Sequence, residues 1–92
     1  MNASEYLVAL KEALGQINLE ALGRICASLQ QVKTRGGTAY LLGNGGSQAN
    51  ASHLALHLIE YSIQAQDVMG ETAWLSASAN DYSYESSAAR LL

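Results

Sequence analysis

The sequence predicts an α/β chain in which two amphipathic helices lead into the first part of a parallel sheet. Three observations carry this. Apolar residues recur at steps of three and four through the first third of the chain. A short apolar run, Thr38-Ala39-Tyr40-Leu41-Leu42, stands between glycines, as a strand of a buried parallel sheet does. Directly after it, Gly43-Asn44-Gly45-Gly46 opens a further helical pattern. Strand, loop and helix make half of a βαβ unit. Residues 1–92 read as a single domain, with helices in 1–35 and a partial α/β core in 36–92.

Composition bounds what such a domain does. A chain of 92 residues, 49% hydrophobic and 14% charged, suits one small buried fold and not a disordered tail. Five Lys and Arg against eight Asp and Glu leave a net charge of -3. There is no basic run, so direct nucleic-acid binding is not expected. No apolar stretch approaches the ~20 residues of a membrane span. The start, Met1-Asn2-Ala3-Ser4-Glu5, lacks a secretory n-region. The single Cys26 excludes an internal disulfide and suits a reducing cytoplasm. With no Phe and no Pro, so small a fold leaves apolar stripes in need of a partner surface, and self-association is expected.

The elements follow in order. Asn2 or Ser4 caps the first helix, with Glu5 placed to complete a capping box with Asn2. Leu7, Leu10, Leu14 and Ile17 form its stripe, and the phase breaks across Gly15 to Asn18. Asn18 caps a second helix with the stripe Leu22, Ile25, Leu29 and Val32, stopped by Gly36 and Gly37. Cys26, beside Ile25, reads as core. After the strand and glycine loop, Ser47 is expected at the N-cap of a helix reaching about Ile63. Ala51, Leu54, Ala55, Leu58 and Ser62 share one of its faces. Ile63 to Met69 is a weak strand candidate, because Gln64, Gln66 and Asp67 interrupt it. Glu71 to Ala79 is a short helix or an extended segment. Asn80-Asp81 reads as a turn, and Tyr84 to Leu92 as the start of a helix.

Leu42-Gly43-Asn44-Gly45-Gly46-Ser47-Gln48 is the strongest local feature. Its glycines let a ligand approach backbone N–H groups, and the helix start favours an anion. A phosphate or a row of sugar hydroxyls suits it; the other reading is a tight turn that binds nothing. The dinucleotide fingerprint wants Gly or Ala where Gln48 stands, and the P-loop wants a Lys that is absent beyond Lys33. His53 and His57 lie one helical turn apart on one face. They are two ligands of a metal site that needs others, or one buried and one exposed histidine.

Gly43-Asn44-Gly45-Gly46-Ser47, then Ala51-Ser52-His53, then Ala79-Asn80-Asp81-Tyr82-x-Tyr84-Glu85 resemble the sugar isomerase (SIS) domain, most closely its phosphoheptose isomerase group. The resemblance runs over nearly the whole chain and covers the N-terminal half of such a domain. It implies a three-layer α/β/α fold with a parallel sheet, and a homo-oligomer (dimer or tetramer) built partly by the leading helices. It implies binding of a carbohydrate derivative, a sugar phosphate. Completed by a C-terminal half, the domain isomerises sedoheptulose 7-phosphate to a heptose 7-phosphate through a cis-enediol. Asn44, Gly45, Gly46 and Ser47 match the family's substrate loop, and Asn80 and Asp81 a second substrate contact. His53 matches a residue that binds zinc in some members. His57 stands where the family places a catalytic Glu, so His57 is the candidate base and second zinc ligand. The family's later Ser/Thr-rich phosphate loop, Gln and His lie outside this sequence. The alternative is a non-catalytic SIS module that binds a sugar phosphate or a protein partner, such as an adaptor for a replication initiator.

Overall fold

Side-chain chemistry at the helix ends decides where the chain coils. In the computed structural model, which describes residues 1–92, α1 (Ala3–Gly15) opens on a capping box. Asn2 Oδ1 accepts from the Glu5 amide, and Glu5 accepts from the Asn2 amide, each at 2.9 Å. Ile17 falls beyond the end of α1. For α2 (Leu19–Arg35), Asn18 Oδ1 accepts from the Ala21 amide at 2.9 Å. Gly36 ends it in the left-handed region at φ 68°. The Gly37 amide then donates back to the Val32 carbonyl at 2.9 Å. Lys33 and Arg35 in the last turn favour the same end of the helix dipole.

The α/β part is a two-stranded parallel sheet. β1 (Thr38–Leu41) pairs with β2 (Gln64–Asp67), from Thr38 opposite Gln64 to Leu41 opposite Asp67. The crossover between them is α3 (Gly46–Glu60). A single 3₁₀ turn (Val68–Gly70), α4 (Thr72–Asp81) and α5 (Ser87–Leu91) follow. Ala51, Ala55 and Leu58 on α3 pack with Ile63 and Val68 to form the apolar core. Seven of 92 residues are buried in all, and none of them lies on α1 or α2. The radius of gyration is 16.7 Å, against about 12 Å for a compact domain of this length.

Several expectations are corrected. Cys26 is exposed, not core, because only the end of the α2 stripe, at Leu29 and Val32, is half-covered. β1 is half-covered and not buried, with Tyr40 exposed, since the sheet has two strands. Gly45, not Ser47, is the N-cap of α3, and no side chain caps it. The chain enters the helix at Gly45 with φ 58° and ψ -128°, a region that favours glycine. α3 stops at Glu60, so Ser62 lies outside it, and Leu54 is exposed. The weak strand candidate is a strand over Gln64–Asp67; its polar residues are tolerated on a half-covered pair. Glu71 to Ala79 falls mostly in α4, which also takes in Asn80 and Asp81 instead of ending before them in a turn. Trp74 Nε1 donates to the Ser87 carbonyl at 3.3 Å. That contact ties α4 to α5.

Candidate functional site

The C-terminal end of β1 feeds the glycine loop into α3, which places the loop at the carboxyl edge of a parallel sheet. Ligands of open α/β sheets bind at this edge. A cavity of about 450 Å³ opens there, lined by Leu42, Gly43, Asn44, Ser47, Met69, Tyr84, Glu85 and Ala88. Gly43 has no room for a side chain against the first turn of α3. Gly45 and Gly46 face open space, where a ligand can approach their backbone. The Asn44 carbonyl accepts from the Ser47 amide at 3.1 Å and the Gln48 amide at 3.3 Å. These bonds hold the turn while the Ser47 and Asn44 side chains border the cavity.

The structure divides the candidate residues. Asn44 and Ser47 line the loop cavity directly. Asp81 borders a different cleft, with Trp74, Ala77, Ser78, Tyr82 and Arg90. Asn80 donates its side-chain amide to the Asp81 carboxylate at 3.2 Å. The motif that contains these two residues reaches the loop through its later members, Tyr84 and Glu85. Met69, Tyr84, Glu85 and Ala88 were not marked as site residues in the sequence. Met69 is placed by the 3₁₀ turn after β2, while Tyr84, Glu85 and Ala88 depend on α5 and the segment leading into it lying beside the loop, a long-range contact without a local signal.

His53 and His57 do meet. Their rings stack with centroids 4.6 Å apart, and the two Nε2 atoms lie 3.1 Å from each other. His57 Nδ1 lies 3.4 Å from Glu60 Oε2, with both side chains more than half exposed. One proton placement serves both contacts: His57 donates from Nδ1 to Glu60 and accepts at Nε2 from His53. The expectation of one buried histidine is corrected, since both are exposed on α3. No further His, Cys, Asp or Glu joins them to make a three-ligand group. Neither histidine lines the loop cavity.

Comparison with known proteins bears on what this arrangement is for. The chain is 31% identical to a probable phosphoheptose isomerase of Thermoplasma volcanium, over 92% of this chain and 46% of that protein. It is 31% identical to the phosphoheptose isomerase of Chlorobaculum parvum, over 94% of this chain and 45% of the relative. For the enzyme of Pelodictyon phaeoclathratiforme the identity is 34%, over 95% of this chain and 45% of the relative. The chain is related to the phosphoheptose isomerases.

It spans about half the length of these phosphoheptose isomerase relatives, as the N-terminal half of an SIS domain would. No family profile matches the chain, and no solved structure does. The phosphoheptose isomerase resemblance agrees at a coarse level with the structure, a helix-rich partial α/β fold with a parallel strand pair. No helix is long and apolar enough to cross a membrane.

Proposed function

We propose that this chain is the sugar phosphate-binding N-terminal part of a phosphoheptose isomerase-like SIS protein. The observation that carries the reading is the loop cavity at the carboxyl edge of the parallel pair. Asn44 and Ser47 line the cavity, and between them in the chain Gly45 and Gly46, which do not line it, leave open space above their backbone. Such groups donate to ligand oxygens without needing a cation. Leu42, Met69 and Ala88 supply an apolar wall for the carbon skeleton. Asn80 and Asp81 complete this reading as a second contact if the ligand extends toward α4.

Isomerisation of sedoheptulose 7-phosphate requires a base at the carbon next to the carbonyl and a group to stabilise the enediolate oxygen. His57 is this chain's candidate base: with its Nδ1–H donating to Glu60, Nε2 is the accepting nitrogen, which His53 must release before a substrate proton can reach it. His57 stands ten residues beyond Ser47, about 15 Å along α3. That rise exceeds the length of an extended heptose phosphate, so a ligand anchored at the loop does not present its carbonyl to His57. Zinc would polarise the carbonyl when bound. His53 and His57 offer it two nitrogens and this chain offers no third ligand, so the residues present do not close a zinc site. The position of His57 and the open ligand set favour a second reading, an SIS module that binds sugar phosphate without turnover.

The exposed apolar faces of α1 and α2 fit contacts with other copies of the chain, as a dimer or tetramer, in a cytoplasmic protein. An isomerase assay paired with titration of sedoheptulose 7-phosphate tests the function. Binding with turnover supports the enzyme, binding alone supports the module, and no binding at millimolar ligand refutes both.

A further inference from the structure

A carboxylate outside the cavity lining sits at the root of the glycine loop. Asp67 ends β2 opposite Leu41, and the next two residues on that side, Leu42 and Gly43, line the loop cavity. Asp67 Oδ2 accepts a 2.8 Å hydrogen bond from the side-chain amide of Gln48, in the first turn of α3. Its Oδ1 is buried and has no partner. A Cβ at Gly70 would collide with this carboxylate, so strand end, helix start and the 3₁₀ turn all close around it. Glu85 brings a second carboxylate to the cavity, and no Lys, Arg or His lines it.

Charge then decides between the two kinds of ligand group that the loop could take. The start of α3 by itself attracts an anion. The Asp67 carboxylate, held against that first turn by Gln48, opposes that pull and repels a phosphate. Sugar hydroxyls suffer no such repulsion and can donate to acceptors in the cavity. We propose that Asp67 is a specificity-determining residue: braced on Gln48, it sets the loop cavity to take the uncharged, hydroxylated part of a sugar phosphate and to turn the phosphate away. This inference rests on the loop cavity being a sugar phosphate site.

Asp67→Asn keeps an acceptor for Gln48 and removes the charge. The probes are inorganic phosphate, fructose and fructose 6-phosphate, followed through the backbone amide NMR signals of Gly45 and Gly46 at low ionic strength. The variant should bind inorganic phosphate about tenfold more tightly than wild type, with unchanged affinity for fructose. In wild type alone, added sodium chloride should strengthen phosphate binding by screening the repulsion. That readout does not depend on the variant folding. Equal phosphate affinity in the two chains, or wild-type affinity that falls with salt, overturns the role of Asp67 and leaves the cavity as a sugar site. If neither fructose nor fructose 6-phosphate perturbs these signals in either chain, the sugar-site reading fails, and the role of Asp67 with it.

Discussion

Gly43 lies directly against the backbone of Gln48. A Cβ on Gly43 would stand 2.8 Å from the Gln48 nitrogen and 2.6 Å from the Ser47 carbonyl oxygen. Both neighbours are helix backbone and cannot swing aside. Gly43→Ala should therefore push the first turn of α3 away from β1, at a cost of about 1–3 kcal/mol. Urea unfolding measures it, and a variant as stable as wild type would contradict the packing.

Gly45 tests a different cause in the same loop. No atom lies within 4 Å of a Cβ built there, so Gly45→Val strains only the backbone, by about 1–3 kcal/mol. Its side chain would also occupy the ligand's approach. Titration of the refolded variant with sedoheptulose 7-phosphate should show no binding. Wild-type affinity would mean that the ligand does not approach the loop from this side.

Ser47→Ala removes one hydroxyl from the cavity and should cost about 0.5–1.5 kcal/mol of sugar phosphate affinity, as one lost neutral hydrogen bond. His57→Ala should leave that affinity unchanged, because His57 lies outside the cavity lining. Calorimetry on the two variants separates the loop from the histidine face. A larger loss from His57→Ala than from Ser47→Ala would move the binding site along α3.

Leu7 is 62% exposed, Leu14 60% and Ile25 56%. Covering the exposed part of such side chains is worth about 1–2 kcal/mol each, so light scattering should find an oligomer at micromolar concentration. Leu14→Glu and Ile25→Glu together should shift it toward monomer. A stable wild-type monomer would show that these helices need no partner.

Asn18→Ala deletes the one side chain that caps α2 and should lower stability by about 1 kcal/mol. Thermal unfolding by circular dichroism reads the loss, and Asn18→Ser should restore most of it.

The capping residues Asn2, Asn18 and Gly36 were legible in the sequence because a cap is settled by groups within four residues. The run from Thr38, the glycine loop and α3 were legible for a related reason, since apolar periodicity and glycine placement are local signals. Ser47 misled as an N-cap because serine commonly caps helices, whereas here the chain enters α3 through a positive φ at Gly45. β2 was barely legible: Gln64 and Gln66 carry no strand signal, and pairing with β1 through backbone bonds decides the outcome. Cys26 followed the apolar stripe of α2, but burial of a stripe requires something to cover it. Within the site, Asn44 and Ser47 were found from the loop itself. Tyr84 and Glu85 reach the cavity through tertiary folding that spacing alone does not encode.

The parallel pair has one more consequence. β1 and β2 cannot meet through a short hairpin; the ladder closes only once the whole of α3 has crossed between them. Folding must thus supply the entropy of a long closure before its strand bonds form. When they have formed, each strand still has one row of amides and carbonyls without a neighbour. Those two rows are templates for further strands, and during refolding another chain reaches them as readily as the intended neighbour. The yield of refolded protein should accordingly fall as chain concentration rises.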